Sequence, residues 1–175
     1  VHLTKANTDE DAFEILWKIL TMKKLIGGSG YINGHIPVCC FQETPLISIA
    51  ETLNYEEQIR GNNVRYSPFG IRVIKGNIYI SGGRPVIYGK AEELKKVLPS
   101  YEWWRIVDFD LEDKEKIIDW THEREWRIKN EYSFEYPEIE VILKNGTYYK
   151  RFVQRCLVEE KTDMLARINS IITIS

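Results

Sequence analysis

The sequence contains no apolar run near the ~20 residues that a membrane-spanning helix needs, and no signal-peptide pattern. The expected setting is therefore cytoplasmic, with no membrane partner. Cysteine is scarce: Cys39, Cys40 and Cys156 cannot all pair, and two of them are neighbours, which almost never bridge. Reduced thiols are the expectation, with VCCF read as part of a core strand. There is no CxxC, no Cys/His zinc spacing and no HExxH, so no metal site is expected. The phosphate loops GxGxxG and GxxxxGK[ST] are missing as well. A formal charge of −2 excludes an overall basic field, so a nucleic-acid contact would have to use a local patch. Repeats and low-complexity segments are absent.

What remains is an ordinary globular composition, 43% apolar and 29% charged over 175 residues, which fits a single domain. Thr8 before Asp9, Glu10 and Asp11 reads as a helix N-cap with acids in the first turn. Ala12, Ile15, Leu16, Ile19 and Leu20 recur at helical spacing, giving an amphipathic helix over roughly 9–25, stopped at Gly27-Gly28. HIPVCCF reads as a short buried strand, and Pro45 opens a second helix through about Leu53. Residues 54–70 read as a long surface loop.

From Ile71 the chain turns to β, with strands expected at IRVI, NIYI and PVIYG, the last two joined by a tight turn at Gly82-Gly83. A short helix over Ala91–Leu98 closes at Pro99. WWRIVDF, EWRIK and IEVIL are strand candidates, rich in tryptophan and β-branched residues. One or two helices and a final strand at IITIS complete the chain. A helix first and strands later, without βα alternation, predicts an α+β fold of bent or split, mostly antiparallel sheets.

The densest chemistry lies in DWTHEREWRI, Asp119 to Ile128. On a strand, Glu123, Glu125 and Arg127 would share one face and Arg124, Trp126 and Ile128 the other. With Trp126 and Ile128 on the buried side, the glutamates would face a cleft or solvent, about 7 Å apart. Two carboxylates at that separation suit acid–base or glycosyl chemistry. A solvated edge laced with Arg127 is the other reading, and spacing alone leaves both open. His122 beside the pair admits a third, a metal-dependent nuclease using His122, Glu123 and Glu125. Arg84, at the tip of GGRPVIYG, suits a pyrophosphate if it lies near a cleft. Tyr66 in YSPFGI suits core anchoring or stacking on a planar ring.

CCFQETPL (Cys39 to Leu46), YSPFGIRVIKGNIYISGGRPVIYG and DWTHEREWRI together resemble the AbiGi-type abortive phage resistance family, in which a CF-x-E-x-PL segment, a PFGI strand, a G-x-RPVIY strand and an EREWR strand occur in this order. More distantly, the layout resembles a DarT-type ADP-ribosyltransferase. That resemblance sets His2-Leu3-Thr4 in the place of the family's His-x-Thr strand, which holds the nicotinamide-ribose end of NAD. It sets Glu123-Arg124-Glu125 in the place of the E-x-E pair. It implies NAD as co-substrate, Glu125 as the catalytic glutamate on the ribose, and Glu123 as the group that orients or deprotonates the acceptor. It further implies His2, Thr4 and Tyr66 around the nicotinamide end, and Arg65 or Arg84 on the pyrophosphate. The acceptor would be nucleic acid or protein, with a cognate antitoxin as a possible partner. The alternative on the same scaffold is a non-catalytic antitoxin or sensor.

Overall fold

The computed structural model describes residues 1–60 and 64–174. In chain order the strands are β1 (His2–Leu3), β2 (Lys24–Ile26), β3 (Val38–Gln42), β4 (Gly70–Val73), β5 (Arg84–Pro85), β6 (Ile87–Tyr88), β7 (Ile106–Val107), β8 (Glu125–Lys129), β9 (Glu131–Ser133), β10 (Ile139–Leu143) and β11 (Ser170–Thr173). The helices are α1 (Asp9–Met22), α2 (Leu46–Arg60), α3 (Lys75–Ile80), α4 (Ala91–Val97), α5 (Gly146–Val158) and α6 (Thr162–Arg167). The fold is α+β, and its open sheets are mostly antiparallel; β10–β11 and β6–β7 pair in parallel. By internal contacts the chain divides into two compact units, each assembled from separate stretches of sequence.

Unit 1 comprises Val1–Lys24, Pro45–Ile74 and Ser133–Ser175. Its sheet has the order β1-β4-β10-β11, and α5 packs on β10 and β11. Helix α1 begins where the sequence says: the Thr8 hydroxyl accepts from the Asp11 N–H at 3.1 Å, satisfying one orphan donor of the first turn. Its apolar stripe buries Phe13, Leu16 and Leu20, while β10 buries Val141, Ile142 and Leu143. Phe13, Phe69 and Tyr148 form an aromatic cluster in which Phe69 meets both other rings edge-on, with Phe69 and Tyr148 centroids 4.7 Å apart. The helix stops before Gly27-Gly28. Lys23 takes a left-handed conformation at φ 51° and donates its N–H to the Ile19 and Leu20 carbonyls. Lys24–Ile26 are then freed for strand pairing with β9.

Helix α2 runs seven residues beyond the expected end at Leu53, so the first part of the supposed surface loop is helical. Residues 61–63 of that loop lie outside the described residues.

Unit 2 comprises Leu25–Thr44 and Lys75–Tyr132, built on the sheet β3-β8-β5. Strand β8 is the centre, pairing Cys40 with Arg127 and Gln42 with Glu125 on one side, and Arg84 with Arg127 on the other. Three expectations change here. NIYI forms α3, not a strand, because Gly82 at φ 89° supplies a helix C-cap: Gly82 N–H donates to Tyr79 O and Gly83 N–H to Ile78 O. The Gly82-Gly83 turn therefore ends a helix and makes no hairpin. PVIYG splits between two sheets, β5 and β6, and the tryptophans of WWRIVDF lie in a 3₁₀ turn over Ser100–Arg105, leaving only Ile106–Val107 as strand.

Candidate functional site

DWTHEREWRI does not run as one strand. Asp119 accepts from the Thr121 N–H at 2.9 Å and from its hydroxyl at 2.6 Å, which starts a 3₁₀ turn over Thr121–Glu123. The Thr121 hydroxyl and N–H hold the Asp119 carboxyl below its ordinary range. Arg124 then adopts a left-handed backbone at φ 46°, and β8 begins at Glu125. The alternating-face geometry expected for Glu123 and Glu125 is thus broken by the turn between them. Nor do the glutamates face solvent: both are 8% exposed, and Arg127 is 6% exposed.

A second segment clamps this turn. The Glu43 N–H donates to the carbonyls of Glu123 (3.2 Å) and Arg124 (3.3 Å). The Thr44 hydroxyl lies 3.3 Å from both the His122 and the Glu123 carbonyl oxygens. The Glu43 carboxylate gathers Lys75 Nζ at 2.7 Å, Trp126 Nε1 at 2.9 Å and Arg124 Nη2 at 3.3 Å. The Lys75 ammonium first, and the Trp126 indole with it, keep that carboxyl below the usual range.

Beneath the turn lies the Glu125–Arg127 pair. Arg127 Nε meets Glu125 Oε1 at 2.7 Å and Nη2 meets Oε2 at 3.2 Å, while Nη1 donates to the carbonyls of Trp104 (2.7 Å) and Ile106 (3.2 Å). A buried guanidinium is tolerated only when its fork is filled in this way. Burial first, and the Glu125 charge with it, pushes the Cys40 thiol well up. The Tyr88 hydroxyl accepts the Glu125 N–H at 2.9 Å, and Val86 N–H donates to the Glu125 carbonyl at 3.0 Å. Burial raises the Tyr88 phenol above its ordinary value, with the charges of Glu125 and Glu123 adding to the effect.

Unit 2 therefore brings Cys39–Thr44, GGRPVIYG and DWTHEREWRI together around Glu125. Sequence reasoning did not single out Arg127, Tyr88, Glu43 or Cys40 as site residues.

Of the other expected site residues, Arg84 belongs to unit 2, where Nη1 donates to Tyr79 O (3.2 Å) and Gly83 O (2.7 Å), and the guanidinium lies 4.5 Å from the Tyr79 ring centroid. His2, Thr4, Arg65 and Tyr66 belong to unit 1. His2 pairs with Ile71 across β1–β4. The Thr4 hydroxyl, 2% exposed as a residue, donates to Phe69 O at 3.0 Å. Arg65 Nε meets buried Glu56 at 3.2 Å, and its N–H donates to the same carboxylate at 2.8 Å. Tyr66 packs against the cluster of Leu3, Ile49 and Ile142.

Among the described residues, no group of three or more His, Cys, Asp or Glu side chains is arranged to hold a metal ion, and no helix is long and apolar enough to cross a membrane. Comparison with protein-family models, with curated proteins and with solved structures finds no match to the chain.

Proposed function

We propose that the chain is an NAD-dependent mono-ADP-ribosyltransferase, a cytoplasmic toxin or phage-defence effector that modifies nucleic acid or protein, with Glu125 and Glu123 as its acid pair. One observation carries this reading: Glu123, Glu125 and Arg127 are all nine-tenths buried, on either side of a left-handed Arg124. Burying ionisable side chains costs several kcal/mol each before compensation. A left-handed non-glycine residue adds about 1–2 kcal/mol. Folds keep such costs where chemistry needs fixed charge.

Cleavage of a nicotinamide–ribose bond builds positive charge at the ribose carbon, and a carboxylate held in a low-dielectric site stabilises it without reorganising. The bidentate Arg127 fixes the plane of the Glu125 carboxylate. A carboxylate offers roughly four acceptor positions, of which the Arg127 fork uses two, and a ribose hydroxyl would use another. Glu123, held by the Glu43–Thr44 clamp, is the group for the incoming acceptor. This assignment needs NAD and the two glutamates; the contacts implied for His2, Thr4, Arg65, Tyr66 and Arg84 rest on the resemblance.

The test is nicotinamide release from NAD by the purified protein with mixed DNA, RNA and lysate protein. Release by the parent, lost in Glu125→Gln and reduced in Glu123→Gln, is expected. Equal release by parent and Glu125→Gln, or no release and no NAD-dependent thermal shift, would sink the reading. The weight would then move to the non-catalytic binding module.

A further inference from the structure

Unit 1 holds a cavity of about 320 Å³, apart from the acid pair. One wall is a face of α2: Ala50, Leu53, Asn54 and Glu57 lie at i, i+3, i+4 and i+7, the spacing of one helical stripe. A helix normally turns such a face to the core, and this one is short of bulk, with alanine and asparagine where large apolar residues would pack. Tyr66, Ser67 and Pro68 also line the cavity, with Tyr66 packed against the Leu3–Ile49–Ile142 cluster. Asp9, in the first turn of α1, and Lys144 are lining residues as well.

Among the described lining residues two carboxylates meet one ammonium: Lys144 Nζ sits 2.6 Å from Asp9 Oδ2 and 3.7 Å from Glu57 Oε1, whose side chain is 64% exposed. Asp9 above all, and Glu57 with it, hold the Lys144 ammonium above its ordinary range. The start of α1 is no site for an anion: Thr8 caps it, and Asp9, Glu10 and Asp11 fill its first turn. The remaining lining combines the Tyr66 ring and apolar side chains such as Leu53 and Pro68 with the polar Asn7, Asn54 and Ser67.

We infer that this cavity is a binding site for a small amphipathic amine, a single ammonium or guanidinium on a flat apolar body. The cationic head enters between Glu57 and Asp9 beside Lys144, and the body lies along Tyr66, Leu53 and Pro68. A volume of this size sits at the small end of ligand pockets, which suits a compact molecule. The ligand's charge and Lys144 compete for the same two carboxylates, and that competition gives the site its signature.

The experiment titrates the full chain by calorimetry with tyramine, phenylguanidine, 4-ethylphenol (tyramine without its amine) and inorganic phosphate. Tyramine and phenylguanidine are expected to bind, and 4-ethylphenol about tenfold more weakly than tyramine or not at all. Glu57→Gln should weaken tyramine about tenfold, whereas Lys144→Met should tighten it by a similar factor, because it leaves both carboxylates to the ligand. Ala50→Phe, which fills the cavity, should abolish binding without lowering the thermal midpoint, and it decides the matter if Lys144→Met fails to fold. Equal affinity for 4-ethylphenol, weaker tyramine binding in Lys144→Met, binding of phosphate in place of the amines, or no amine binding at millimolar concentration would each overturn the inference.

Discussion

Arg127 and Glu125 face each other fork to fork on one strand, two residues apart, with Nε–Oε1 at 2.7 Å and Nη2–Oε2 at 3.2 Å. Side chains at i and i+2 share a face, and here that face is buried, so the pair neutralises itself within the fold. The third guanidinium nitrogen closes on the Trp104 and Ile106 carbonyls, which ties β8 to the turn leading into β7.

The two members of this pair should differ in what their removal does. Arg127→Met leaves a buried carboxylate without its cation and takes a donor from the Trp104 and Ile106 carbonyls, the second of which keeps Asn33 Nδ2 at 3.4 Å, and we expect a loss of about 3–5 kcal/mol by urea unfolding. Replacing both partners, Arg127→Met with Glu125→Leu, should recover a large part of that loss, because no charge is then stranded. A double variant as unstable as Arg127→Met alone would show that the pair does not carry the cost.

The thiols set an alkaline limit. Burial pushes Cys39 and Cys156 up to about 11, each above its ordinary value. Unfolded, these groups lose their protons from about pH 8.5, whereas the folded chain keeps them until about pH 11. Over that window the unfolded state binds fewer protons, so stability falls as pH rises. The urea midpoint should drop between about pH 8 and pH 10, and the Cys39→Ala/Cys156→Ala double variant should drop less. At about pH 8 both thiols should alkylate roughly a hundredfold more slowly in the folded protein than after denaturation, as mass spectrometry of labelled peptides would report.

Gly70 tests the attachment of β1. A Cβ at this position would overlap the His2 carbonyl oxygen and press on the Leu3 backbone, atoms that no side-chain rotation can move away. Gly70→Ala should cost about 1–3 kcal/mol. It should also raise hydrogen exchange at the Thr4 and Ser67 amides, which now donate to Phe69 O and Thr4 O at 2.8 Å each. Unchanged exchange at those amides would mean that β1 is held by something other than this pairing.

The sequence by itself determined the elements whose signals are local. Thr8 and the acids after it placed the start of α1, and its apolar spacing picked out Ala12, Leu16, Ile19 and Leu20, which are buried, together with Ile15, which is exposed. Val38–Gln42, Glu125–Lys129 and Ile139–Leu143 were legible as strands because runs of apolar and β-branched residues fit a pleated, buried surface. Only the tertiary structure decided the rest. NIYI became a helix because Gly82 could turn left-handed and cap it, against the strand preference of its own residues. Glu123 and Glu125 were legible as a pair, but their burial, the turn between them and the Arg127 lock depend on Glu43, Thr44, Tyr88 and Trp104, which stand 19 to 82 residues away in sequence. Capping and periodicity act over one or two turns of chain, whereas the burial of a charge is settled by whichever distant groups arrive to neutralise it.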